Sequence, residues 1–228
     1  MQIYLLKLPS LEDVFIKNAE VLKHYLHIDD CHLLTVKNSS QMASALGKVM
    51  VQYLYGRKNG KQGMFFPLPF AYTKEGKPYL EGYPNFYFNI SHTKEWVAVV
   101  VGDNDVGVDI EALRTFKPAV VKRFFHEDEY SFLMSQPPHL QDMEFTRLWT
   151  LKESYVKCTG TGIAGNFSKF AIELTAGGII IKGAETPVFF KHYRCDELFI
   201  SACSVDDVFP DNIITITTEE ILMATAAK

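Results

Sequence analysis

The sequence predicts a mixed α/β (α+β) protein, because helix-like and strand-like hydrophobic patterns follow one another along its 228 residues. Residues 40–55 place apolar side chains at helical spacing, residues 106–111 alternate them as a strand does, and residues 148–157 return to helical spacing. A hydrophobic content of 47% is enough to form one large domain or two small ones.

The overall composition excludes several functional classes. A net charge of −4 and a pI of about 6.0 argue against a general nucleic-acid binder. The four cysteines form no C-x-x-C pair, which argues against a disulfide framework or a zinc ribbon. No apolar run approaches the ~20 residues of a membrane helix, and no basic region precedes the N-terminal apolar run as in a signal peptide. We therefore expect a cytoplasmic protein without nucleic-acid or membrane partners.

The first part of the chain is predicted to form a strand and two helices. Residues 2–8 are strand-like and are closed by Pro9. Ser10 would cap a helix over residues 11–27. A second helix over residues 40–55 is expected to end at Gly56.

The middle of the chain is predicted to be mainly strand. Residues 65–71 contain two prolines and are expected to be irregular, and residues 75–78 form a turn. Strands over residues 86–90 and 96–101, followed by the strand from Val106, indicate an antiparallel meander.

The C-terminal part is predicted to form two helices, then strands. A helix spans residues 116–134, prolines interrupt the chain, and a second helix spans residues 141–157 with Gly160 as its C-cap. The strands that follow are predicted at residues 170–174, 178–182, 188–193, 198–204 and 213–217, and residues 219–228 close the chain as a short helix.

The strand at residues 106–111 carries two acids on one face. Asp109 and Glu111 are two residues apart, so both project to the same side, roughly 7 Å apart along the strand. Like charges so placed repel unless a positive group lies between them, and Mg²⁺ takes oxygen ligands of this kind. Gly107 would leave room for a ligand to approach. An edge strand with two solvated acids explains the same residues equally well.

Two further stretches present polar groups at the ends or on one face of an element. Glu153 and Lys157 are four residues apart and share a helix face, although a surface ion pair worth a few tenths of a kcal/mol is an alternative explanation. An aromatic strand ends in Ser91 and His92, followed by Thr93, which suits an anionic ligand. Taken alone, a histidine at this position is more often a turn residue.

The order of five motifs resembles that of the Sfp-type 4′-phosphopantetheinyl transferases. Each motif is weak alone, but the five in order, at these separations, are specific. The motifs are Gly76-Lys77-Pro78, residues 88–92, residues 107–111, residues 123–130, and residues 149–157 with Gly160 and Gly162.

The resemblance implies a fold, a reaction and partners. The fold is two similar α/β halves related by a pseudo-two-fold, residues 1–103 and 104–228, with the active site in the cleft between them. The reaction is the Mg²⁺-dependent transfer of the 4′-phosphopantetheine arm of coenzyme A to a serine of an apo acyl or peptidyl carrier protein, with release of 3′,5′-adenosine bisphosphate. Relatives are often monomers that serve polyketide synthases or nonribosomal peptide synthetases in antibiotic biosynthesis.

The resemblance also implies roles for the acidic residues. Asp109, Glu111 and Glu153 match the metal ligands, and Asp109 counts among the catalytic residues. Glu153 would be the general base, directly or through water. Lys157 would reach the α-phosphate, and Glu129 matches a further acid near the metal.

Coenzyme A is expected to meet residues of the N-terminal half. Ser91, His92 and Thr93 match positions at its phosphates, and the turn Gly76-Lys77-Pro78 matches the adenine and phosphate site. Gln52 stands where relatives usually carry an arginine for the 3′-phosphate. Lys48, one helical turn away, is the preferred replacement.

Two other functions remain open on the sequence. The same carboxylates would serve a metal-dependent phosphohydrolase, and a catalytically silent protein could still bind carrier proteins. For carrier docking the sequence offers a basic cluster beside two phenylalanines, although a solvated helix face accounts for it as well. The cluster consists of Lys117, Lys122 and Arg123, beside Phe124 and Phe125.

Overall fold

The computed structural model describes residues 1–8, 23, 26, 39–60, 67–162 and 167–226. In the first part of the chain the elements are β1 (Gln2–Lys7), α1 (Ser39–Lys58), β2 (Phe70–Tyr72), β3 (Pro78–Leu80), β4 (Tyr87–His92), β5 (Trp96–Gly102) and β6 (Val106–Ala112). They are followed by α2 (Pro118–Phe124), α3 (Glu127–Ser135), α4 (Pro138–Thr159), a 3₁₀ turn (Phe167–Lys169), β7 (Ala171–Thr175), β8 (Gly178–Lys182), β9 (Phe189–Cys195), β10 (Leu198–Ser204), β11 (Ile214–Ile216) and α5 (Thr218–Ala226). None of the described helices is long and apolar enough to cross a membrane.

The chain divides into two compact units. The first contains Met1–Tyr72, Pro78–Asp103 and Pro210–Lys228, and the second contains Thr73–Lys77 and Asn104–Phe209. This division differs from a single cut after residue 103, because the C-terminal segment returns to the first unit. The reason is that β11 pairs in parallel with β1.

The first unit is a four-stranded sheet with a helix on it. The strand order is β11-β1-β5-β4, and α1 packs on β4 and β5. The approach of α1 is close at Gly47, where an added Cβ would lie 2.5 Å from Cγ2 of Ile90. The core of this unit is built from apolar side chains of α1, β1, β4 and β5.

The second unit is built around a three-stranded antiparallel sheet and the long helix α4. The strand order is β6-β10-β9, and α4 packs on β6 and β10. The helix buries Leu148, Leu151 and Val156 in the core of this unit. A hairpin of β7 and β8 packs against the same core.

The predicted strands are present, but the predicted meander is wrong at its third strand. β4 and β5 pair as expected, whereas β6 pairs with β10. The last two residues of the stretch expected to be irregular belong to β2, which forms a hairpin with β3 across the predicted turn. Strand pairing depends on residues distant in sequence, which local alternation does not report.

Three helix boundaries also differ from the predictions. α1 runs through Gly56 and stops before Gly60, which has φ 64°. The predicted helix at 116–134 is two helices, because His126 starts α3 with a capping box that it forms with Glu129. α4 begins at Pro138, where a missing N–H costs nothing, and its predicted C-cap Gly160 is confirmed at φ 68°. The predicted helix 11–27 lies outside the described residues, apart from residues 23 and 26.

Candidate active site

Gly107 allows the helix α4 to lie directly on strand β6. A Cβ at this position would be 2.1 Å from the carbonyl oxygen of Ser154 and 2.4 Å from the amide nitrogen of Cys158. The space that we expected a ligand to use is therefore filled by helix backbone. Because alternate strand residues share a face, Asp109 projects on the same side as Gly107, toward α4.

Asp109 meets Lys157 in a largely buried ion pair. Nζ of Lys157 lies 2.6 Å from Oδ1 of Asp109, and the Asp109 side chain is only 6% exposed. On the neighbouring strand β10, Ser201 lies directly opposite Asp109. The Ser201 hydroxyl is 2.7 Å from the hydroxyl of Thr150 on α4. The strand thus presents its acid to the helix within a polar, buried environment.

Glu153 lies on α4 one turn before Lys157 and is only 5% exposed. Burial, and then the negative charge of Asp109, raise the pKa of Glu153 to about 7. Lys157 and Arg114 oppose this rise, and Glu111 adds to it. The three predicted carboxylates therefore act on one another electrostatically, as members of one acidic group.

Glu111 is paired with an arginine that the sequence analysis did not single out. Nη1 of Arg114 lies 2.7 Å from Oε1 of Glu111. Burial, and then Asp109, raise the pKa of Glu111, whereas Arg114 and Lys157 lower it. The only signal in the sequence is an arginine three residues after the acid, which is not specific.

The chemistry of this donor set fits a hard divalent cation. Three carboxylates act on one another electrostatically, and burial together with the like charges raises the pKa values of Glu111 and Glu153. A divalent cation removes that conflict. In the described part of the chain, no three acidic, histidine or cysteine side chains already converge on a metal position. Asp109 and Glu111 instead face protein cations.

Glu129 has a different environment from the one predicted. Both of its carboxylate oxygens accept hydrogen bonds from Nζ of Lys152, at 2.9 and 2.8 Å, and both side chains are fully buried. Its oxygens also accept from the backbone N–H groups of Ile172 and His126. Lys152 and Glu153 are consecutive on α4 and so point in different directions. Glu129 therefore fixes α3 to α4 and does not join the acidic group.

Lys77 lies at the C-terminal end of α4. Its Nζ is 2.7 Å from Oδ1 of Asp105 and donates to the carbonyl oxygen of Cys158 at 2.6 Å. A cation at this place also complements the helix dipole. The turn that carries it has Gly76 at φ 89°, and Pro78 begins β3. The lysine ammonium thus holds the C-terminal end of α4.

Ser91, His92 and Thr93 lie at the end of β4, as predicted. Ser91 is buried and His92 is half-buried. The Thr93 hydroxyl oxygen accepts hydrogen bonds from the N–H groups of Glu95 and Trp96, so it forms the turn into β5. The expected contacts of Ser91 and His92 with coenzyme A stay a prediction.

Lys48 and Gln52 are buried one turn apart on α1. Nζ of Lys48 lies 5.6 Å from the ring centres of both Phe70 and Tyr72 on β2, within cation–π range. Oε1 of Gln52 accepts a hydrogen bond from the N–H of Leu68 at 3.2 Å. The glutamine thus ties α1 to the segment before β2, and the lysine brings positive charge to the same part of the first unit.

Comparison with known proteins gives one consistent family. Residues 105–205 match the family model of the 4′-phosphopantetheinyl transferase superfamily. The chain is 31% identical over 186 residues to a 4′-phosphopantetheinyl transferase psf-1 from Bacillus pumilus, covering 78% of this chain and 77% of the relative. It is 28% identical to the 4′-phosphopantetheinyl transferase Sfp from Bacillus subtilis (strain 168), covering 90% of this chain and 88% of the relative.

Among solved structures, the match is partial. A holo-(acyl-carrier-protein) synthase from Bacillus anthracis in complex with coenzyme A aligns at 20% identity and a TM-score of 0.38, over 43% of this chain and 92% of its own. The sequence relatives are therefore the basis of the family assignment.

Proposed function

This chain belongs to the Sfp-type 4′-phosphopantetheinyl transferases, and from that premise we propose how its residues move the phosphopantetheine arm of coenzyme A onto a carrier-protein serine. The observation that supports the proposal is the acidic group on β6 and α4 with Lys157 beside it. Phosphoryl transfer depends mainly on positioning and on neutralising charge, and this arrangement supplies both. Neither a phosphohydrolase nor a silent binding protein is favoured by the relatives.

Asp109, Glu111 and Glu153 are the proposed ligands of a Mg²⁺ ion. When bound, Mg²⁺ neutralises charge on the pyrophosphate of coenzyme A. Asp109 would help to hold the cation, and Lys157 would bind a phosphate oxygen. Lys157 is 26% exposed at its side chain, so a substrate can reach it.

Glu153 is the proposed general base for the attacking serine, directly or through one water. A base is most effective when its pKa lies near the working pH. Burial raises the pKa of Glu153 to about 7, and a divalent cation held by the same carboxylate would lower it again.

Coenzyme A binding is proposed for residues of β4, α1 and the turn before β3. Ser91, His92 and Thr93 would meet its phosphates, and Lys48 would meet the 3′-phosphate. The turn Gly76-Lys77-Pro78 would meet the adenine. Because the Lys77 ammonium is held by Asp105 and the end of α4, we propose that this turn contributes its backbone and the aliphatic part of the lysine.

The cellular setting is proposed on the family and on composition. The enzyme would act as a monomer in the cytoplasm, on carrier proteins of polyketide synthases or nonribosomal peptide synthetases in antibiotic biosynthesis. The described cysteines are free thiols, which suits a reducing compartment. The net charge of −4 disfavours nucleic acid as a partner.

One assay tests the reaction. The protein is incubated with coenzyme A, Mg²⁺ and an apo carrier protein, and the carrier is then weighed by mass spectrometry. A gain of one phosphopantetheine group supports the transferase. Free phosphate without modified carrier would indicate a hydrolase, and no change in either would indicate a binding protein. The control is Asp109→Ala, which removes one proposed ligand. If this variant turns over at the wild-type rate at saturating Mg²⁺, the metal assignment is contradicted.

A further inference from the structure

Arg114 joins the acidic group to the aromatic side of α4. Its Nη1 lies 2.7 Å from Oε1 of Glu111, and its guanidinium carbon lies 4.1 Å from the ring centre of Trp149. The two paired side chains are 38% and 28% exposed, so a cation in solution can reach the carboxylate. One guanidinium thus combines an ion pair with a stacking contact, for which its planar shape is suited.

The backbone of Arg114 is fixed to the same helix. Its N–H donates to Oγ1 of Thr146 at 2.9 Å, and that hydroxyl is itself bonded to the carbonyl oxygen of Asp142 at 2.7 Å. Thr146 and Trp149 are three residues apart on α4 and therefore share a face. Arg114 consequently keeps a defined position relative to the helix that carries Glu153 and Lys157.

The ring on which Arg114 stacks is itself held firmly. Trp149 lies within 6.1 Å, centre to centre, of three phenylalanine rings. A ring packed in this way gives the guanidinium a fixed support. The three rings belong to Phe125, Phe145 and Phe167.

We propose that Arg114 is a positioning residue that orients Glu111 as a metal ligand, an inference that rests on the proposed Mg²⁺ site. The arginine occupies Oε1 and fixes the plane of the carboxylate, so that the second oxygen can serve the cation. Ligating carboxylates in metalloproteins are commonly held by such outer hydrogen bonds, and loss of the outer partner typically costs about 10–100-fold in metal affinity. Simple electrostatics predicts the opposite, because removing a positive charge beside the site would tighten cation binding.

These opposite signs make the test decisive. Mg²⁺ is titrated into the wild-type protein, Arg114→Gln and Arg114→Lys, and the Kd is read from calorimetry and from tryptophan fluorescence. We expect a Kd roughly tenfold or more higher in Arg114→Gln. Arg114→Lys keeps the charge but loses the planar fork, so its Kd should lie between the two. Arg194→Gln is the matched control, because it also removes one guanidinium that stacks on an aromatic ring, that of Phe199 at 3.9 Å. The charges that shift the pKa values of Glu111 and Glu153 include Arg114 and do not include Arg194.

A positioning role has a second signature in the transfer assay. Arg114→Gln should regain wild-type kcat at saturating Mg²⁺, whereas loss of a substrate contact would not be rescued by metal. An unchanged or lower Kd for Mg²⁺ in Arg114→Gln, while the wild type binds normally, would overturn the positioning role alone. Absence of Mg²⁺ binding to the wild type would overturn the metal site and this role together. Circular dichroism confirms that each variant is folded.

Discussion

The ammonium of Lys157 lies 2.6 Å from Oδ1 of Asp109, although the residues are 48 positions apart in the sequence. The contact forms because Gly107 lets α4 lie on β6 at backbone distance. It places a positive charge beside Asp109, where it also lowers the pKa values of Glu111 and Glu153. We therefore expect the proposed metal binding, the pKa of Glu153 and the proposed contact of Lys157 with a phosphate to depend on one another.

Glu153→Gln is expected to reduce turnover far more than coenzyme A binding. The amide keeps the size of the side chain but cannot accept the serine proton, and a positioned base contributes about 10²–10⁴-fold. Steady-state kinetics gives kcat, and calorimetry gives the Kd for coenzyme A. If binding is lost as completely as turnover, Glu153 is a ligand only.

Glu153→Gln should also stabilise the metal-free protein at high pH. Burial raises the pKa of Glu153 to about 7 in the folded state, above its ordinary value of 4.5, so the native state resists ionisation. The contribution of the protonated Glu153 side chain to the free energy of unfolding is therefore fully present below about pH 4.5, and it is lost as the pH rises through about 7. We expect the free energy of unfolding of the variant to exceed that of the wild type by about 3 kcal/mol at pH 8, because one pKa unit corresponds to about 1.4 kcal/mol, and nearly to equal it at pH 4.5. Urea unfolding in the presence of a chelator measures this, and a gain of the same size at both pH values would contradict it.

Gly107→Ala should destabilise the second unit and impair transfer. The new Cβ would lie 2.1 Å from one backbone atom of α4 and 2.4 Å from another, and backbone cannot yield as a flexible side chain does. Overpacking of this kind costs about 1–3 kcal/mol or more. Gly177→Ala is the matched control, because its Cβ would meet only Oγ1 of Thr175 at 3.8 Å. Equal midpoints of thermal unfolding in the two variants would show that α4 is not held at this distance.

Charge reversal at Lys117 and Lys122 should raise the KM for the carrier protein and weaken its salt dependence. Lys117 directly precedes α2 and Lys122 lies within it. Phe124, the last residue of α2, is 47% exposed, whereas Phe125, which follows the helix, is buried. Carrier proteins are generally acidic around the modified serine, and steering charges act mainly on encounter. Charge reversal at the exposed Lys169 and Lys182 makes the same net change elsewhere. A carrier KM that responds equally to both double variants would assign the effect to net charge.

Lys48→Ala should raise the KM for coenzyme A but barely change that for 3′-dephospho-coenzyme A. The lysine is 7% exposed and lies against the rings of Phe70 and Tyr72, so its removal also leaves a gap. Lys48→Met keeps most of the packing and removes only the charge, and it should show the same difference between substrates. Equal losses on both substrates would mean that Lys48 does not touch the 3′-phosphate.

The sequence was sufficient for the features that a few neighbouring residues determine. Alternation identified the strand that carries Asp109 and Glu111, helical spacing placed Glu153 and Lys157 on one face, and Gly160 ended the helix as expected. These features depend on local geometry, namely the two-residue repeat of a strand, the helical turn and the backbone freedom of glycine.

The tertiary structure decided which distant groups meet. In the folded protein β6 pairs with β10 and not with β5, and α4 fills the space at Gly107. Glu111 forms an ion pair with Arg114, and Glu129 forms one with Lys152. A carboxylate of the same type became part of the acidic group in one place and a buried structural ion pair in another. The difference arises because charge and burial act through space between residues that the packing of the core brings together, and no local pattern in the chain encodes that distance.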